Sequence, residues 1–147
     1  MPAALPLPDP DARWAFFLDV DGTLADIAPA PTDVAIADHA RDTLSRLAAG
    51  CDGAVALVSG RPITDLDRLF APLTLPAAGL HGLERRDSQG KVTRAEVDTR
   101  FLEAARARLN GFVGDHPGTI VEDKGLTLAL HFRQAPAAEA ECAGLMA

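Results

Sequence analysis

From Trp14 to Leu18 an unbroken apolar run is cut off abruptly by Asp19. A short run with such a stop is the pattern of a buried strand. The pattern then turns helical. Between Asp38 and Ala49 the apolar residues Ala40, Leu44, Leu47 and Ala48 stand at i, i+4, i+7 and i+8, and Gly50 follows. That spacing predicts one amphipathic helix with a glycine stop. Ala54 to Val58 is a second apolar run, closed by Ser59, Gly60, Arg61 and Pro62. Pro62 suits the first turn of a helix reaching Phe70, with Ile63, Leu66, Leu69 and Phe70 turned inward. Leu75 to Leu80 reads as a weaker third strand ending at His81 and Gly82. Strand, helix, strand, helix, strand predicts a parallel sheet with helical crossovers.

After Gly82 the character of the chain changes. Leu83–Arg86 and Lys91–Arg94 flank a turn-forming stretch, Asp87 to Gly90, and predict a hairpin. Asp98 to Phe112 has Phe101, Leu102, Ala105, Leu109 and Phe112 on one side of a helix. Thr119–Glu122 and Thr127–Phe132 flank Asp123, Lys124 and Gly125, a second hairpin signal. This strand–strand–helix–strand–strand block predicts a small α+β insert and not a continuation of the sheet. A further Ala/Glu-rich helical pattern starts at Ala137. At the other end, four of the 11 prolines lie in residues 2–10, which predicts an extended lead-in. The expected organisation is a disordered lead-in over 1–12, an α/β core over 13–82 and an α+β insert over 83–147. Three strands make a small doubly wound sheet and the insert has no route back into it, so core and insert both read as cut short.

Composition narrows the function classes. The 147 residues carry 14 Lys+Arg against 21 Asp+Glu, a net charge of −7. Such a chain lacks the positive field that phosphate backbones or anionic lipids attract, so neither nucleic acid nor a membrane surface is an expected partner. A local basic pocket for one small anion remains compatible. The length suits a single domain that buries roughly 70% of its unfolded surface. Cys51 and Cys142 are too few and too far apart for a disulfide framework or a zinc cluster. No run approaches the ~18 apolar residues of a membrane-spanning helix, and Met1–Pro10 lacks the basic and apolar regions of a signal peptide. A reducing, cytoplasmic setting is the simplest reading.

Chemistry concentrates at the ends of the strands. Asp19 and Asp21 follow the first strand, where ligands of open α/β sheets bind. Two carboxylates so close repel unless a cation or shared proton intervenes, which predicts Mg²⁺. Gly22 permits the sharp turn between strand and loop. A plain Asp-Gly turn is the alternative. Ser59, Gly60 and Arg61 follow the second strand and precede a helix, so a hydroxyl, backbone N–H groups and a guanidinium can meet an anion there. The alternative is simple helix capping. His81 ends the third strand at the same sheet edge. Glu122, Lys124 and Arg133 belong to the second hairpin, where a solvated charged face is the competing reading.

Together these residues resemble a known family. The segment Asp19-Val20-Asp21-Gly22-Thr23-Leu24 resembles the first motif of the haloacid dehalogenase superfamily, and Ser59-Gly60-Arg61 resembles its second. Residues 79–84, 121–124 and 128–133 are similar to trehalose-6-phosphate phosphatases, and the resemblance runs from about Trp14 to Arg133. It implies a Rossmann-like core with an inserted α+β cap and a Mg²⁺-dependent hydrolysis of trehalose 6-phosphate. Asp19 would be the nucleophile that becomes an aspartyl-phosphate, and Asp21 the general acid and then base. The Asp19 carboxylate and the Asp21 carbonyl would bind Mg²⁺, and Ser59 with the adjoining Gly60 would hold a phosphate oxygen. Arg61, His81, Glu122, Lys124 and Arg133 would contact the sugar phosphate. The family pattern goes on to a core lysine and an acidic metal loop, and neither occurs here. Lys91 and Lys124 are the only lysines, both in the expected insert. The expectation is therefore an incomplete enzyme with little activity of its own. Other readings are a phosphatase of another sugar phosphate, a receiver-type phosphoacceptor module and a non-catalytic remnant.

Overall fold

The computed structural model describes residues 14–28, 30–98 and 100–146. The expected lead-in over 1–12 lies outside them. Strands β1 (Phe16–Asp19), β2 (Val55–Val58) and β3 (Ala77–Gly79) pair in parallel in that order. Helix α1 (Asp38–Gly50) links the first two and α2 (Ile63–Phe70) links the next. Because the strand order advances in one direction, right-handed crossovers place both helices on one face. Leu44 of α1 and Leu66 and Phe70 of α2 accordingly share a core with Val55, Leu57 and Ala77. Phe70 and Leu66 are fully buried, each contributing about 2–3 kcal/mol of apolar burial.

The opposite face of the sheet is not covered in the same way. Val55 and Leu57 are buried, while Val58 is 40% and Phe17 73% exposed. The first two strands were expected to be buried throughout. They alternate instead, because helices cover one face only among the described residues.

The first hairpin forms as expected, but its place in the fold differs from the expectation. Strand β4 (Glu84–Arg86) pairs antiparallel with β3, and β5 (Val92–Arg94) pairs with β4, so the sheet has five strands, β1-β2-β3-β4-β5. The predicted boundary at residue 82 thus falls inside one continuous sheet. Alternation reveals a strand but not its neighbour. Buried polar anchors make this attachment specific. Arg86 donates from Nε to the Leu75 carbonyl at 2.9 Å and pairs with Asp67 of α2. Glu84, 4% exposed, accepts from the Ile63 N–H at 2.8 Å and from Arg94 at 2.8 Å.

Helix α3 (Arg100–Asp115) packs on a separate antiparallel pair, β6 (Ile120–Asp123) and β7 (Leu128–His131). Leu109 is its buried contact. Phe101, expected on the apolar side, is 76% exposed at the first turn. A 3₁₀ turn at Pro136–Ala138 leads into α4 (Glu139–Met146). No described helix is long and apolar enough to cross a membrane, and Cys51 and Cys142 are both buried free thiols.

Candidate active site

The loop after β1 closes tightly on itself. The N–H groups of Thr23, Leu24 and Ala25 all turn to the Val20 carbonyl, at 3.3, 2.9 and 2.9 Å, while Gly22 N–H donates to Ala25 at 2.8 Å. Gly22 has φ +86°, a conformation that explains the glycine. Val20 is fully buried and anchors the turn. Asp19 and Asp21 therefore flank a fixed pivot, and the Asp21 carbonyl stays outside the loop's own hydrogen bonding to Val20. The Thr23 hydroxyl reaches Asp19 Oδ2 at 3.3 Å.

The loops after β2 and β3 are stitched together. Leu80 N–H donates to the Arg61 carbonyl at 2.9 Å, and His81 N–H to the Ser59 carbonyl at 3.1 Å. Leu80 and His81 both adopt left-handed φ, +49° and +56°, ahead of Gly82 at +94°. Such backbone costs about 1–3 kcal/mol per residue and survives only where the surroundings fix it. Here the two interloop bonds and the buried Leu80 side chain fix it, and the result brings the His81 ring over Gly60. A Cβ on Gly60 would lie 2.6 Å from His81 Nε2.

Two donors expected to receive an anion are already engaged. The Arg61 N–H donates to Ser59 Oγ at 3.1 Å, and the Ile63 N–H at the start of α2 donates to Glu84. The helix N-terminus is thus satisfied by a buried carboxylate of its own chain. The Ser59 hydroxyl proton remains to be donated, since its oxygen is the acceptor in that bond.

Arg61 is engaged within the chain as well. Its guanidinium, 6% exposed, makes a two-pronged pair with Asp21: Nε to Oδ2 at 2.8 Å and a terminal nitrogen to Oδ1 at 2.7 Å. The hydrogen bonds to Asp21 hold the guanidinium above its ordinary pKa, against the opposing effect of burial. An arginine expected to meet substrate thus also holds the expected proton carrier.

From the other side comes the second hairpin. Lys124 Nζ donates to the Gly60 carbonyl at 2.9 Å, and Arg133 donates to the Ala28 carbonyl. Glu122 Oε2 lies 2.8 Å from His131 Nε2 and 3.4 Å from Lys124 Nζ. Asp19, Asp21, Ser59, Gly60, Arg61, His81, Glu122, Lys124 and Arg133 all line one cavity of about 650 Å³. His131 lines it too and was not singled out by sequence, although it stands in the 128–133 segment. Glu84 was also missed: nothing in a strand pattern shows that a carboxylate will cap a helix 21 residues away.

The hairpin over the carboxylates is the arrangement on which the family question turns. The trehalose-phosphatase family model matches residues 17–147. The chain belongs to that family. It is 42% identical over 129 residues to trehalose-6-phosphate phosphatase of Escherichia coli, covering 88% of this chain and 48% of that one. The chain spans about half the length of this relative and of a probable trehalose-phosphate phosphatase of Sinorhizobium fredii, and 31% of that of the mycobacterial relatives. The solved C-terminal domain of C. albicans trehalose-6-phosphate phosphatase superposes with a TM-score of 0.83 at 21% identity, over 90% of this chain and 47% of the other. A haloacid dehalogenase-like hydrolase of B. subtilis gives 0.52 at 20% identity, over 67% and 33%. These two likenesses speak for the fold.

The oxygens at the site can be tested for the ion that such a fold implies. Magnesium takes hard oxygen donors, one or two carboxylates plus waters and phosphate oxygens. The Asp19 carboxylate and the Asp21 carbonyl meet that description in type. The Asp21 carboxylate does not, because both of its oxygens are held by Arg61. Among the described residues no group of three or more His, Cys, Asp or Glu side chains gathers to hold a metal.

Proposed function

We propose that this chain carries the nucleophile loop and the sugar-recognition hairpin of a cytoplasmic trehalose-6-phosphate phosphatase. One observation carries the reading: the strand-end carboxylates and the Glu122–Lys124–His131 group face each other across a single cavity. One side suits phosphoryl transfer and the other suits hydroxyl groups. In this scheme the unit that lies over the core begins at α3 and not at residue 83, since β4 and β5 belong to the sheet.

In the proposed reaction, the Asp19 carboxylate bonds to phosphorus as the bond from phosphorus to the sugar oxygen breaks. Once a bound phosphate has drawn Arg61 off its carboxylate and Asp21 has taken a proton from solvent, Asp21 gives that oxygen the proton, and later takes one from the water that hydrolyses the aspartyl-phosphate. Arg61 orients Asp21 through two bonds, and a phosphate presents the same two-pronged geometry to the guanidinium. The Ser59 hydroxyl and His81 line the same cavity and would contact the phosphate oxygens. Mg²⁺ held by the Asp19 carboxylate and the Asp21 carbonyl would offset the charge of nucleophile against phosphate.

The test uses the full-length protein and trehalose 6-phosphate with Mg²⁺. Asp19→Asn should abolish both turnover and the trapped phosphoenzyme, since an amide is no nucleophile. Asp21→Asn should cost about 10²–10⁴-fold in kcat and leave the nucleophile in place. The 147 residues alone, with two of the oxygen donors a metal needs, should release phosphate far below an enzyme's ordinary ~10 s⁻¹. A phosphoenzyme that survives Asp19→Asn would overturn the assignment.

A further inference from the structure

We infer that His131 is a positioning residue that holds the Glu122 carboxylate for the sugar; the inference rests on the phosphatase reading above. In the β6–β7 register Glu122 opposes Ala129, and Ile120 opposes His131. Glu122 and His131 are therefore diagonal neighbours on one face of the hairpin, within reach of long side chains. That face is the one turned to the cavity, which both residues line.

The contacts are asymmetric. Both neighbours of the Glu122 carboxylate approach the same oxygen, Oε2, with His131 at 2.8 Å and Lys124 at 3.4 Å. The lysine's short bond goes elsewhere, to the Gly60 carbonyl at 2.9 Å. His131 is thus the principal hydrogen-bonded anchor of Glu122, whose carboxylate also interacts with the Arg61 charge, and no hydrogen bond to Oε1 forms among the described residues. A carboxylate acceptor selects the imidazole form with a proton on Nε2.

A glutamate side chain has several rotatable bonds, and freezing them when the sugar arrives would cost affinity. An anchor on one oxygen removes that cost beforehand and presents the other oxygen to a hydroxyl. His131 acts on the substrate only through Glu122. The Lys124 bond to Gly60 supplies the second fixed point, tying the turn that follows the same strand to the loop that carries Ser59. The sugar side of the cavity is in this way registered against its phosphate side.

The experiment is a double-mutant cycle in the full-length protein, with KM and kcat for trehalose 6-phosphate measured separately. His131→Ala should raise KM about tenfold, the size of a lost hydrogen bond to a charged group, with a smaller change in kcat. His131→Gln, which can offer an N–H at a similar reach, should restore most of the loss. In a Glu122→Ala background His131→Ala should add nothing further. Losses that multiply in the double variant, or no rise in KM for His131→Ala, would overturn the positioning role. Failure of the parent protein to hydrolyse trehalose 6-phosphate would instead overturn the functional reading beneath it, and melting curves of each variant separate both results from simple unfolding.

Discussion

Gly60 and Gly79 lie on adjacent loops, and the same substitution should do opposite things to them. A Cβ at Gly79 would sit 2.8 Å from the Arg61 carbonyl oxygen and 3.0 Å from the Ile63 nitrogen. Both are backbone atoms of the stitched loops, tied by Leu80 N–H to Arg61 and by Glu84 to Ile63, so neither can withdraw. Gly79 has φ −97°, within reach of alanine, and the penalty is therefore steric alone. Overpacking of this kind costs about 1–3 kcal/mol, or a fall in Tm of roughly 2–10 °C for a chain of this size. At Gly60 the three atoms nearest the new Cβ all belong to the His81 ring, two of them at 2.6 and 2.7 Å. That ring is the far end of an exposed side chain and can swing aside, and the loss of glycine's unfolded-state freedom returns about 0.4–1 kcal/mol. Stability at Gly60→Ala should change by less than about 1 kcal/mol. Function should not escape, because the swing removes His81 from the edge shared with Ser59 and Asp19. Loss of a hydrogen bond to a charged phosphate is about 1.5–3 kcal/mol, or roughly 10–100-fold in kcat/KM. Thermal melts of the two variants, with kinetics in the full-length protein, test the contrast. Equal destabilisation, or a Gly60→Ala protein with unchanged kcat/KM, would refute the claim that Gly60 is kept as a seat for His81.

Glu122→Ala should cost about 2–4 kcal/mol in kcat/KM for trehalose 6-phosphate, a lost charged hydrogen bond plus stranded partners, and far less for p-nitrophenyl phosphate; equal losses on both would mark Glu122 as a support of the fold. A second expectation concerns pH and the end of the chain. His116 lies stacked on Phe112 with centroids 3.8 Å apart and reaches the Phe112 carbonyl at 2.8 Å and Glu141 of α4 at 2.9 Å. The bond to the Phe112 carbonyl, then that to Glu141, raises its pKa above the ordinary histidine value. A raised folded-state pKa stabilises fully below the unfolded value of about 6.5. The contribution is lost as pH rises through the higher folded value. Amide exchange in α4, corrected for its intrinsic pH dependence, should therefore quicken across that rise, and His116→Gln should remove the effect. Exchange independent of pH in the parent chain would show that α4 is held by other contacts.

How much of this was legible beforehand follows from the range of each interaction. Helix α2 was read from Pro62, Ile63, Leu66, Leu69 and Phe70 because its signal repeats every turn within a few residues. The strands were located by the same local logic, but Phe17 and Val58 were read as buried when they face the uncovered side. A run of apolar residues does not say which neighbours arrive. The first hairpin fails in the same way: its strands were visible, whereas pairing with β3 depends on Glu84 and Arg86 finding Ile63, Leu75 and Asp67 across the fold. At the site, the Asp19–Asp21 loop and the Ser59–Arg61 turn were recognisable by position after strands. The pairing of Arg61 with Asp21 spans 40 residues of sequence, and no spacing rule reaches that far. His131 stands in the 128–133 segment and in a hairpin strand, but a strand pattern does not show that its ring reaches the diagonal Glu122.

The strained corner at Leu80–Gly82 explains why these separate loops form one site. A relaxed exit from β3 would carry His81 away from the edge and leave Gly60 open. The chain instead accepts two non-glycine residues in left-handed backbone, at about 1–3 kcal/mol each. In return it makes two interloop hydrogen bonds and buries Leu80 to 1% exposure. Those gains offset the strain without needing a ligand, so the His81–Gly60 contact is formed before any phosphate arrives. Glu84 works to the same end from below: by capping Ile63 it fixes the start of α2 and with it the backbone of Arg61. Arg61 then delivers that rigidity to Asp21. The order of dependence runs from the β4–β5 hairpin docked on β3, through a buried carboxylate and a strained turn, to the side chain that would handle the proton. The hairpin read from sequence as part of a separate insert is thus the support on which the carboxylate pair rests.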